Sequence, residues 1–355
     1  MRALTERLPN SSDRGAVAIT VALSLVALMG AAAIAVDLGY VWSQRRNMVT
    51  ATDSAALAAA RDYAFNEVGC PATADDYLDA NHPTAQLVSC SADGTSEFGH
   101  VTVDASTDVD YFFARVLGHN SGTVESSTSV KWGIPYGITQ DLRPFGLCGA
   151  LPDGQIPGGW LAELVLWLGD TSETKVIQIP YGKDDNPEAC NDGDDVPGNW
   201  AVIDFDGGAN SNADTQEWVE FGYQGPPPVY SGTLGETCVT EPLACYQGDT
   251  GAFSNSLRQE LDTLVPDEEF VIPIFDYVTE RPGGNAEFHL IAFAKVRLLE
   301  YQSDGSQADR YLKLEVQPGL ITGECCADPD EAIDTGVRAL AICAVDPDDL
   351  SQCQP

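Results

Sequence analysis

Basic residues are scarce. Only 18 Lys and Arg stand against 54 Asp and Glu, a formal net charge of −36 over 355 residues. A phosphate backbone would be repelled by such a surface, so nucleic acid is excluded as a partner. Histidine is scarcer still: His82, His100, His119 and His289 form no HExxH and no helical i,i+4 pair, which removes a zinc-protease reading. There is no GxSxG elbow, no Walker loop and no CxxC, and the chain is read as non-enzymatic, with no cofactor beyond a candidate calcium ion. Asp249-Thr250-Gly251 copies the aspartic-protease tripeptide, but no second copy supplies a partner carboxylate. Cysteine is absent before Cys70, proline is absent from residue 10 to residue 70, and charge is absent from Ala16 to Val36.

That uncharged run, AVAITVALSLVALMGAAAIAV, spans roughly 30 Å as a helix, the thickness of a bilayer's hydrocarbon core. A lone apolar run satisfies its backbone in lipid only as a helix. With no proline to stop it, the helix continues to about Phe65 as a stalk. Leu38, Val41, Trp42, Met48, Val49, Ala56 and Ala59 fall near one face at helical spacing. Ala27, Ala31, Ala35, Gly39 and Ser43 form a ridge of small residues that would admit a second helix closely. Asp37 and Asp53, about 24 Å apart along the helix, are candidates to pair with Arg45 or Arg46 of a neighbouring subunit. The alternative is that Asp37 marks the water interface and Asp53 is solvated.

The segment RGAVAITVALSLVALMGAAAIAVDLGYVWSQRRNMVTATDSAALAAARDYA resembles the N-terminal region of TadG-like proteins of the Flp, or tight-adherence, pilus assembly system. The resemblance rests on Arg14-Gly15 before the apolar run, Asp37-Leu38-Gly39 at its end, and Asp53 ahead of the alanine cluster. It extends through VTVDASTDVDYFFARVLGHNSGTVESSTSVKWG, where it implies a strand, a helix at Phe-Phe-Ala-Arg and a second strand. It also implies a pilin-like or assembly subunit whose partners are the membrane and other pilus subunits. Asp104 to Asp108 approaches the DxSxS metal site of von Willebrand type A adhesion domains, but Asp108 stands where Ser is required.

Prepilin peptidases act after a glycine preceding the apolar run, which makes Gly15 and Ala16 the candidate processing residues. Pilins carry Glu at the fifth mature position, and here that position is Thr20. An uncleaved or minor component is therefore expected. Ala33-Ile34-Ala35 also offers a signal-peptidase site, but the run exceeds the roughly 7 to 15 residues of a signal core and the helix pattern passes through the cut.

Arg2, Arg7 and Arg14 precede the run and Arg45 and Arg46 follow it, a slight bias toward a cytoplasmic N-terminus. The ten cysteines, Cys70, Cys90, Cys148, Cys190, Cys238, Cys245, Cys325, Cys326, Cys343 and Cys353, all follow the helix. An even, scattered set fits disulfides in an oxidising compartment, so the bulk of the chain is expected outside the cytoplasm. Loop-closure entropy favours Cys70 with Cys90 and Cys238 with Cys245, while Cys325 and Cys326 are expected to reach separately to Cys343 and Cys353.

The expected fold is α+β, with a cytoplasmic N-terminus (1–15), a transmembrane helix and stalk (16–66), a small αβ region (67–132) and a β-rich, disulfide-linked extracytoplasmic domain (133–355). Its strand candidates are residues 163–168, 175–179, 201–205, 270–275, 288–298 and 311–316, set off by turns such as DGQIPGG and RPGGN. A helix is expected over 257–264, ended by Pro266. Asp204, Asp206, Asn210, Asn212 and Asp214 place side-chain oxygens at short intervals that suit Ca²⁺, although not at EF-hand spacing. The acidity itself suits solubility in a salty or crowded exterior. Two functions remain: a subunit of Flp pilus assembly, or a membrane-anchored adhesion protein whose head binds a surface ligand.

Overall fold

The computed structural model describes residues 11–66, 69–149, 175–180, 202–207, 212–234, 236–248, 261–262, 264, 268–279, 286–302, 311–327 and 332–343. One helix, α1 (Ser11–Asn66), runs 56 residues without interruption, roughly 84 Å at 1.5 Å per residue. Its two halves live in different surroundings. Among the described residues α1 is the one helix long and apolar enough to cross a membrane, over Val17–Asn66, and none of its most apolar window is buried by the chain itself. From Asp37 onward a stripe sinks into the protein: Met48, Ala51, Thr52, Ala55, Ala56, Ala59, Ala60 and Ala64 are buried. These positions recur at three- and four-residue steps, the period of one helix face.

The residues that fall near one face at helical spacing are thus divided by burial. Met48, Ala56 and Ala59 belong to the buried stripe, whereas Leu38, Trp42 and Val49 are exposed. Alanines line the contact because a helix approaches a sheet most closely where its side chains are small.

Opposite that stripe lie α2 (Cys70–Asn81) and an antiparallel ladder of β1 (Gln86–Gly94), β2 (Gly99–Asp110) and β3 (Ser121–Gly133). The 3-10 turn Ala114–Leu117 sits in the β2–β3 connection, so the helix implied at Phe-Phe-Ala-Arg is a single tight turn. The chain then forms β4 (Pro135–Ile138), β5 (Leu147–Cys148), β6 (Lys175–Pro180), β7 (Ile203–Asp204), α3 (Asn212–Phe221), β8 (Cys245–Gly248), β9 (Glu269–Val278), β10 (Glu287–Gln302), β11 (Tyr311–Val316), β12 (Gly319–Leu320), β13 (Gly323–Cys325) and β14 (Val337–Cys343). β14 returns to pair with β3, and β12 runs parallel to β14, giving the order β1-β2-β3-β14-β12. Late sequence therefore completes the early sheet, across the expected boundary near residue 133.

The head is built on β5-β9-β10-β11-β6, with β8 joined to β10 and β7 to β8. β9 and β10 are nearly continuous in apolar residues because both of their faces are covered; β11 alternates buried and half-buried positions. Of the expected strands, 175–179, 270–275, 288–298 and 311–316 lie within β6, β9, β10 and β11, and of the described part of 201–205, Ile203–Asp204 forms β7. Residues 163–168 and most of the expected helix over 257–264 lie outside the described residues. Phe145, Ile203, Phe275, Leu290, Val296 and Leu314 are among the residues filling the head's core.

Cys70–Cys90 ties α2 to β1, and Cys238–Cys245 closes a short loop before β8. Cys148 and Cys343 are disulfide-bonded as well, and Cys190 and Cys353 lie outside the described residues. The expectation for Cys325 and Cys326 is corrected: they bridge each other. Cys325 Sγ lies 3.4 Å from the Ala339 carbonyl oxygen, and Cys343 is four residues farther along β14, about 13 Å at strand rise. That is beyond the reach of a disulfide.

Candidate functional site

The apolar run ends at Asp37, and the fold converges there. The turn Ala114–Leu117 starts with backbone N–H groups that no carbonyl within the turn accepts, as every helix start does. Asp37 accepts them: Phe112 N–H reaches Oδ1 at 2.9 Å, Phe113 N–H both oxygens at 3.2 and 3.1 Å, and Ala114 N–H Oδ2 at 2.7 Å. Burial alone would raise its pKa, but these three amides together outweigh it and hold the carboxyl below the ordinary value of 3.8. Gly118, at φ +89°, closes the other end of the turn in the left-handed conformation that glycine adopts without strain. Tyr40, one turn along α1, meets the Phe112 ring edge-on at 5.0 Å.

Asp53 is also engaged within the chain, accepting a 2.7 Å hydrogen bond from Thr128 Oγ1 on β3. Arg45 and Arg46 are exposed on α1. Asp37 and Asp53 are therefore tertiary joints along one helix, whereas the two arginines are the charges presented outward. Gly15 and Ala16 lie inside α1, on its unbroken path into the apolar run. Asp104 and Asp108, the acids of the DxSxS-like stretch, sit on β2 and accept bonds from Ser89 and Thr123 on the flanking strands.

The candidate calcium residues separate into two elements. Asp204 ends β7 and is buried, with its Oδ1 accepting the amides of Asp206 and Gly207 at 3.1 and 3.2 Å. Asn212 and Asp214 begin α3, and Asn210 lies outside the described residues. Among the described residues, no group of three or more His, Cys, Asp or Glu is placed to hold a metal.

Burial, then the neighbouring Asp206, pushes the Asp204 carboxyl up to about 6. A carboxyl whose folded value lies above its unfolded one holds its proton better when folded. Its contribution is present below about pH 4, and is lost as pH rises through about 6. Asp204→Asn keeps the amide-accepting oxygen and is expected to stabilise the protein at pH 7.5 by roughly 1–2 kcal/mol after solvent screening, with little effect at pH 4. Urea melts at the two pH values measure this, and equal effects at both would refute it.

Two further buried polar side chains, Arg143 and His289, were not legible in the sequence. Arg143 is buried, donating to Glu268 at 2.9 Å and to the Trp218 carbonyl at 3.1 Å, which ties the β4–β5 connection to α3. His289 on β10 is fully buried, with Nδ1 2.7 Å from Asp276 Oδ1 on β9 and Nε2 3.9 Å from Glu236. No spacing signal marks either residue, because their partners come from other elements.

Residues 15–62 match the family model described as putative Flp pilus-assembly TadE/G-like. The match covers most of α1, including Asp37 and Asp53, and stops short of the head. No curated protein and no solved structure matches the chain.

Proposed function

We propose that the chain is a membrane-anchored subunit or assembly component of an Flp-type pilus, with its N-terminus cytoplasmic and its disulfide-linked head outside. One observation carries this reading: the segment matched to the pilus-assembly family coincides with a helix whose first half is left bare by the protein and whose second half is consumed in packing against α2 and the β1–β2–β3 ladder. A helix divided in this way leaves its apolar half for lipid or for neighbouring helices, along the ridge from Ala27 to Ser43. Arg45 and Arg46, exposed beyond that ridge, are the charges available to a neighbouring subunit. Thr20, where pilins carry the helix-bundle glutamate, supports an uncleaved or minor component over a major pilin.

Shearing cells and probing both fractions tests the proposal. The chain is expected with sheared pili or with the membrane assembly platform, pili are expected to be lost on its deletion, and its purified mass is expected to include residues 1–15. The head is large and cysteine-rich beyond what a minimal pilin needs, which favours a second reading as an anchored adhesin. Normal pili with lost adhesion after deletion would establish that reading in place of the first.

A further inference from the structure

The connection between β2 and β3 turns its apolar side chains outward. Phe112, Phe113 and Val116 are 59, 49 and 88 % exposed, and Leu38 and Trp42 on the adjacent helix are each 64 % exposed. A patch of this kind costs free energy in water and marks a surface that something apolar covers. What covers it follows from its height on α1. The three amides donated to Asp37 pin the connection beside the residue that immediately follows Val36, the last of the apolar run. Trp42 lies six residues past that end, about 9 Å along the axis. The headgroup layer on each side of a bilayer is about 5–8 Å thick, so Tyr40, about 6 Å past that end, and the Phe112 ring packed on it lie at the depth where aromatic residues concentrate in membranes, with Trp42 at the layer's outer edge. Among the charges on the connection, Arg115 pairs with Asp110 at 2.9 Å, leaving that pair without net charge.

We infer that the Tyr111–Asn120 connection is a second membrane contact, its Phe112, Phe113 and Val116 side chains seated in the headgroup–acyl boundary of the same bilayer that residues 16–36 cross. The inference rests on the reading of that run as membrane-spanning. Every copy brings this bilayer to residue 36, whether or not neighbours are present. The contact is apolar in kind, because a head with a strongly negative surface is repelled by anionic lipid. Its consequence is mechanical: joined to the bilayer at the helix and at the connection, the head is held in one orientation and does not swing about the helix axis.

The test uses the full chain in vesicles of zwitterionic lipid brominated near the headgroup. Val116→Trp adds an emitter to the patch, and Val239→Trp adds one at a site in the head that is 91 % exposed. Relative to wild type, the added emission of Val116→Trp is expected to be blue-shifted and to lose more than half its intensity to the bromolipid, unchanged by high salt. That of Val239→Trp is expected to stay red-shifted and unquenched. Equal quenching of the two variants in vesicles that float with the protein would overturn the second contact while leaving the anchor intact. Failure of the protein to float would overturn both. A blue shift without quenching that grows with the protein-to-lipid ratio would assign the patch to a second copy and overturn the lipid assignment.

Discussion

Asp37→Ala is expected to release the β2–β3 connection from α1 while leaving both sheets folded. The carboxylate accepts from three successive amides at the start of the turn, and its loss exposes those amides to exchange. Hydrogen bonds to a charged acceptor are the stronger kind, so exchange of Phe112, Phe113 and Ala114 N–H should accelerate roughly ten- to a hundredfold. Asp37→Asn keeps one acceptor oxygen and turns an NH2 group toward the donors, so it should fall between alanine and wild type. The acid limb follows from the direction of the shift. Because the folded carboxyl sits below 3.8, its contribution is present above the unfolded value and is lost as pH falls through the lower folded one. Protection in the wild type should therefore hold down to about pH 4 and decline below it, whereas the alanine variant should show no such limb. Hydrogen exchange followed by mass spectrometry resolves these amides, and unchanged exchange in Asp37→Ala would refute the joint.

The helix was legible because its evidence is local. Absence of proline, an uncharged run of bilayer length and an alanine cluster all lie in one stretch of chain. The strands of the head were legible for the same reason: β9 and β10 are dense in Val, Ile and Phe, and β11 alternates. What escaped the sequence depends on partners far along the chain. Asp37 reads as an interface marker because its donors lie at residues 112–114, more than 70 residues away. Its neighbours Leu38 and Trp42 share helical spacing with Met48, Ala56 and Ala59, but the stripe that meets the sheet is built mainly of alanines, and Leu38 and Trp42 remain outside. The start of α3 was read as a calcium loop because Asn, Asp and Thr favour turns and helix starts alike; Trp218 and Val219, buried in the head core, supply the tertiary contact that decides for helix. β14 was missed because its pairing partner, β3, comes some 200 residues earlier.

Trp132→Ala should be among the most damaging single substitutions, because this side chain locks α1 to the sheet where the early strands β2 and β3 meet the late strand β14. Trp132 is 1 % exposed and belongs to β3, with Gly99 opposite on β2 and Leu340 opposite on β14. Its ring lies 5.2 Å from that of Tyr63 on α1, and its Nε1–H donates to the Thr95 carbonyl at 2.9 Å. Gly99 makes the slot: a Cβ there would overlap the Trp132 ring and the Asp93 carbonyl oxygen. Truncating a buried tryptophan costs about 3–5 kcal/mol through lost transfer energy and the cavity left behind, and here it also leaves the Thr95 carbonyl without its donor. A drop in melting temperature of roughly 10 °C or more is the expected readout. Trp132→Phe keeps a ring in the slot but loses the N–H and part of the indole's volume, so it should cost less than alanine, roughly 2–3 kcal/mol. The separation of the two variants is diagnostic: if packing of α1 against the sheet dominates, alanine opens the 40–66 segment to proteolysis and phenylalanine does not. Equal, small effects of both substitutions would mean that the helix is held chiefly by Asp37, Asp53 and the alanine stripe, with Trp132 contributing little.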